Sequence, residues 1–193
     1  MQPYVFPYIG YFQLIHASDM FVFYDDVNYI NRGWINRNRI LVNGKDHVIT
    51  IPCKEASQNK LIKDIDVADD PKAMAKLAGT IQMAYKKAPY FEEVYPVIEQ
   101  ILQRGAGKTI AAMAIDSVTT VCDYIGIKTE FKTSSATYDN IALKKADRLI
   151  DICHREGIAH YINPSGGREI YTKEYYKAQG INLNSIKTNP IYP

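Results

Sequence analysis

Two adjacent carboxylates, Asp25 and Asp26, follow directly on an apolar run of strand length, Met20–Tyr24. Carboxylates at the C-terminal end of a parallel strand lie where open α/β sheets keep their sites. Either could draw a proton from an amine or hydroxyl acceptor, and His16 is a further candidate base. The same pair also suits a turn, because aspartate bonds readily to its own backbone. The residues leave both readings open.

The groups around them fit a binding role. Gln2, Tyr4, Tyr8, Gly10 and Tyr11 precede the carboxylates; Asn28, Arg32, Trp34, Asn36 and Arg37 follow. Trp34, the only tryptophan, can stack on a sugar face and donates one N–H. Arg32 or Arg37 can clamp a carboxylate or phosphate with two parallel hydrogen bonds. Aromatic walls with a few polar groups suit a small-molecule pocket. An aromatic core with a capped polar rim would use the same residue types. A second group stands near the other end, at Asn163, Gly166, Gly167 and Tyr171. Its paired glycines allow bare backbone N–H groups to approach an anion or a carbonyl oxygen, and they equally suit a tight structural turn.

These residues need elements to hold them. Gln2–Val5 reads as a strand, Gly10–Ala17 as a helix and Met20–Tyr24 as a buried parallel strand, which together make a βαβ unit. Asn43-Gly44 between two β-branched runs, Arg39–Val42 and His47–Ile51, signals a type I′ hairpin. Leu61–Val67 alternates like a short strand. Asp70-Pro71 opens a helix with Met74, Leu77, Ile81 and Ala84 on one face. Phe91–Arg104 and Thr109–Ile125 continue a helical insertion over about 71–126. A second strand-helix-strand unit follows as Lys128–Thr133, Asn140–Glu156 and His160–Asn163, then a helix from Thr172 and a strand Ile181–Ile186. The expectation is one α/β domain over 1–193: a three-layer-like, mostly parallel sheet with a β-hairpin and the helical insertion.

Two partial motifs carry less weight. Gly107-Lys108-Thr109 ends like a phosphate-binding loop, but Leu102 replaces the required glycine and a helix precedes it. Pro7 to Ile15 is similar to the glycine-histidine turn of nucleotidylyltransferases, with Tyr11 where those enzymes place a histidine. A helix N-terminus there would offer N–H groups to a phosphate.

Bulk properties narrow the classes. Twenty-three basic against 21 acidic residues give a net charge of +2, which is no footprint for nucleic acid. Cys53, Cys122 and Cys153 have neither disulfide nor zinc spacing, and no metal is expected. No apolar run reaches the roughly 18 residues of a membrane span, and no signal peptide is visible. A cytoplasmic setting is expected.

The opening MQPYVFPYIGYFQLIHASDMFVFYDDVNYINRGWINRNRI, with AYKKAPYFEEVYPVIEQIL and YINPSGGREIY further on, resembles the WbqC-like family over nearly the whole chain. The resemblance implies bacterial surface-polysaccharide (O-antigen, lipopolysaccharide) biosynthesis and a transferase passing glycine or another acyl group to a sugar. It implies an activated sugar as small-molecule substrate. The donor stays open between a nucleotide, a nucleotide sugar and an acyl donor. It also implies that Asp147 and Arg148 matter, although an ordinary solvated pair would look the same. Family members carry a short strand before Met-Gln-Pro and a segment after Pro193, so the first strand is expected to be clipped. Glycines 166 and 167 are expected to meet Trp34 at one rim of the sheet around a ligand.

Overall fold

A computed structural model describes residues 1–164 and 172–187. In chain order the elements are α1 (Ile9–His16), β1 (Met20–Val22), β2 (Arg37–Val42), β3 (Lys45–Thr50), a 3-10 turn (Ile62–Asp64), α2 (Pro71–Tyr85), α3 (Phe91–Arg104), α4 (Ile110–Ile125), β4 (Glu130–Lys132), a second 3-10 turn (Ser135–Tyr138), α5 (Lys145–Arg155), β5 (His160–Pro164), α6 (Lys173–Ala178) and β6 (Asn182–Ile186). The class is α/β. Among the described residues the strands form three two-stranded sheets: parallel β1–β4, antiparallel β2–β3 and parallel β5–β6. The single mostly parallel sheet expected from the sequence is not seen there: β1–β4 and β5–β6 are parallel but separate pairs.

The chain divides into two compact units. The first comprises Met1–Pro7 and Phe23–Ile127. Its core gathers Val5, Tyr29, Ile35, Ile49 and Ile51 with Ile62, Ile65, Leu77, Ile81, Leu102 and Met113. The hairpin turns where the Asn-Gly signal put it, with both Asn43 and Gly44 at positive φ, as a type I′ turn requires. Gln2–Val5 is not a ladder strand: the Val5 N–H donates to the Ile35 carbonyl at 3.0 Å, and the Tyr24 N–H donates to the Met1 carbonyl at 2.8 Å. Leu61–Val67 is also not a strand. Its 3-10 turn puts Ile62 and Ile65 three residues apart on one buried face, and only isolated bridges, Asn28–Leu61, Cys53–Val67 and Asp66–Thr109, flank it.

The helical insertion follows its caps. Asp70 accepts from the Ala73 N–H at 2.9 Å and Thr109 from the Ala112 N–H at 3.2 Å. The Gly105 to Thr109 segment is a helix-to-helix turn, with Lys108 Nζ 3.2 Å from Asp116. Gly105 ends α3 without a positive φ. A Cβ there would lie 2.5 Å from Sδ of the buried Met113, so that side chain would have to shift.

Gly79 is different. It sits inside α2 without a positive φ, and a methyl group added there would meet nothing within 4 Å. Glycine in a helix interior is less favourable than alanine by roughly 0.5–1 kcal/mol. Gly79→Ala is therefore expected to stabilise the protein by about that amount, read as a higher urea midpoint at unchanged m-value. An unchanged or lower midpoint would contradict this.

The second unit comprises Tyr8–Val22 and the described residues from Lys128 onward. Here α5 and α6 bury Ile150, Cys153 and Tyr176 with Ile181. The Tyr161 and Tyr176 rings stack at 5.7 Å. Helix α5 begins at Lys145 rather than at Asn140, because Asn140 is drawn into side-chain bonds described below.

Candidate functional site

In the first unit, Asp25 and Asp26 are 5% and 4% exposed. Burying carboxylates is costly unless they are compensated, and neither residue is without a partner. The backbone around them is held by the Ile62–Asp64 turn: Lys63 N–H donates to the Asp25 carbonyl at 3.0 Å and Ile62 N–H to the Val27 carbonyl at 2.9 Å.

The residues after them split into two kinds. Asn36 is committed to the fold. Its Oδ1 accepts from the Tyr29 hydroxyl at 2.7 Å, and its Nδ2 donates to the Ile51 carbonyl at 2.8 Å. Burial pushes the Tyr29 phenol above its usual range, with Cys53 adding to the shift and Arg37 opposing it. Asn28 donates from Nδ2 to the Gln58 carbonyl at 2.9 Å and is exposed. Gln2 Oε1 accepts from the Tyr4 hydroxyl at 3.4 Å.

Arg32, Trp34 and Arg37 form the accessible part. Arg32 is exposed at φ 59°, and its carbonyl accepts from an Arg37 guanidinium nitrogen at 3.0 Å. Trp34 is 44% exposed, with the Arg39 guanidinium carbon 5.5 Å from its ring centroid. A stacked guanidinium on tryptophan is a cation–π contact, and it places positive charge beside an aromatic surface.

In the second unit the predicted residues also separate. Tyr8, the residue before α1, is 57% exposed, whereas Gly10 is buried and Tyr11 is 1% exposed. Tyr11 packs at 5.5 Å from the Phe21 ring and 6.4 Å from Phe12. His16 is exposed in the last turn of α1. Asn163 lies in β5 opposite Ser185. Gly166, Gly167 and Tyr171 lie outside the described residues, and with them the expected meeting with Trp34.

Sequence reasoning missed one buried polar network in this unit. Arg148 is 3% exposed and donates from Nε to Asn140 Oδ1 at 2.8 Å. Asn140 Nδ2 donates to Asp151 Oδ2 at 2.8 Å, which also takes Arg155 Nε at 2.9 Å. Arg155 donates to the Tyr138 carbonyl at 2.7 Å, and the Tyr138 hydroxyl donates to Glu156 at 2.6 Å. Burial, then Glu156, pushes the Tyr138 phenol far up. The solvated-pair reading of Asp147 and Arg148 is corrected: Asp147 accepts from the Tyr175 hydroxyl at the surface, while Arg148 is interior. The available signal was Arg148 one turn before the apolar Ile152.

The thiols are poor nucleophiles. Burial pushes Cys53, Cys122 and Cys153 up to about 11, so little thiolate is present near neutrality. No group of three or more metal-ligating side chains occurs among the described residues. No helix among them is long and apolar enough to cross a membrane.

An uncharacterized protein of Mycobacterium tuberculosis, Rv1507c, is 27% identical over 180 residues, spanning 92% of this chain and 76% of the relative. No solved structure matches the chain. The model of the WbqC-like protein family matches residues 2–193, and the chain belongs to that family.

Proposed function

We propose that this chain is a cytoplasmic group-transfer enzyme, passing an acyl or aminoacyl group, glycyl among the candidates, to a sugar in bacterial surface-polysaccharide biosynthesis. The observation that carries this reading is the burial of Asp25 and Asp26. Carboxylates kept in an interior are candidates for proton transfer, and Asp25 there also interacts with the buried Met1 amino terminus. Asp25 is assigned as the general base toward the acceptor amine or hydroxyl, with Asp26 the neighbouring carboxylate in sequence; His16, in the second unit, is a separate candidate base. Arg32 is assigned to the anionic part of the donor. Arg37, whose guanidinium also supports the Arg32 carbonyl, shares that role. Trp34 offers its ring to the sugar.

The nucleotidylyltransferase-like alternative loses ground at Tyr11. The position that would have to meet a phosphate is packed against Phe21.

The test begins with a thermal-shift screen of nucleotides, nucleotide sugars, aminoacyl donors and coenzyme A thioesters to find the donor. Asp25→Asn, nearly isosteric, is then expected to lower kcat by about 10²–10⁴-fold. Arg32→Ala is expected to raise KM. Variants that transfer as well as wild type would sink the reading. A non-enzymatic assembly partner would instead keep its partner binding when these residues are lost.

A further inference from the structure

We propose that the groove between α2 and α3 binds a small amphipathic cation, a compact apolar body carrying one protonated amine. The groove lies wholly within the first unit and encloses about 490 Å³. Small-molecule pockets run at roughly 300–1,000 Å³. Its floor is apolar, with Met74, Ala78 and Leu102 among the lining residues. Its charged groups are all of one sign: Asp69, Asp70 and Glu99 line it, and no lysine, arginine or histidine does.

These carboxylates are not equivalent. Asp70 is engaged at the start of α2, where it accepts from the Ala73 N–H at 2.9 Å. Asp69 is exposed at the rim, and Glu99 is half-buried on α3. Tyr95, on the same wall, has its hydroxyl 3.4 Å from the Ala78 carbonyl of α2. An ammonium at this rim gains charge-assisted hydrogen bonds, while an apolar body covers Met74 and Leu102.

Gly79 supplies a separate reason to look for a ligand. It lines the groove, its φ is not positive, and a Cβ there would meet nothing within 4 Å. Neither backbone conformation nor packing within the chain requires glycine at this point, yet the helix interior disfavours it. The bare backbone there leaves room for a molecule to lie against α2. This inference is independent of the transfer reading, since it uses none of the same residues.

The experiment is a ¹H–¹⁵N chemical-shift titration of the full chain with three probes of one shape: phenethylamine, 2-phenylethanol and phenylacetate. Saturable shifts centred on Ala75, Ala78, Gly79, Glu99 and Gln103 are expected with the amine. The alcohol and the acid should bind at least about tenfold more weakly. Glu99→Gln should weaken the amine about tenfold and leave the alcohol unchanged. Gly79→Leu should abolish binding, and Gly79→Ala, with the smaller side chain, shows that the helix tolerates substitution there. Equal affinity for the three probes would overturn the proposal, since the groove would then be merely apolar. Absence of saturable shifts would overturn it too. So would shifts at these amides that follow protein concentration without any probe, which would assign the groove to a second copy of the chain.

Discussion

Tyr11→Ala is expected to destabilise the protein by about 3–5 kcal/mol, the usual cost of removing a buried aromatic ring. Tyr11 is among the largest fully buried side chains, and its ring meets Phe21 at 5.5 Å and Phe12 at 6.4 Å. Aromatic pairs at such distances add to the stabilisation from buried area. A domain holds only about 5–15 kcal/mol in total, so the variant should be partly unfolded at physiological temperature. Tyr11→Phe keeps the ring and should lose about 1 kcal/mol at most, the net worth of a hydroxyl hydrogen bond. Urea unfolding of both variants decides the matter. A Tyr11→Ala variant as stable as wild type would mean that this ring does not hold the second unit together.

That result bears on the aromatic residues at the opening of the chain. Tyr8, Tyr11 and Tyr29 look alike in sequence, yet Tyr8 is exposed, and Tyr11 and Tyr29 are core. A phenol ring suits an interior as well as a binding wall, so residue type alone does not separate them. Local signals fared better. Asn43-Gly44 placed the hairpin, Asp70 and Thr109 placed two helix starts, and apolar spacing placed α2 to α4. Each depends on neighbours a few residues away. What was not legible depends on distant ones. The Gln2–Val5 run looks like a strand, but it meets Ile35 by a single backbone bond rather than a ladder. Leu61–Val67 alternates, yet bridges to Asn28, Cys53 and Thr109 bend it into a turn. The backbone beside the buried Asp25 and Asp26 is likewise held by a later segment, through the Ile62 and Lys63 N–H groups. The Asn163 to Tyr171 segment has the residue types of a binding loop, and most of it lies outside the described residues.

Arg148→Ala is expected to cost about 3–5 kcal/mol, for a reason opposite to that at Tyr11. A guanidinium does not lose its proton in a protein, so an interior arginine is tolerable only while its charge is held. Asn140 Oδ1 holds Nε, Asn140 passes its own N–H to Asp151, and Asp151 also takes Arg155. Removing the Arg148 side chain takes the Nε donor away from the buried Asn140 Oδ1, and Asn140 is what links Asp151 to the set. Breaking one member of such a set costs more than the set contributes as a whole. Arg148→Lys should fail to restore stability, because a single ammonium cannot reproduce the planar fork. A double-mutant cycle gives the stronger check. Asn140→Leu combined with Arg148→Met should be less destabilising than the two changes summed, by about 1–3 kcal/mol, since the pair shares one network. Strict additivity would show that the two residues act independently. If Arg148→Met matched wild type in stability, the interior charge would contribute nothing to folding.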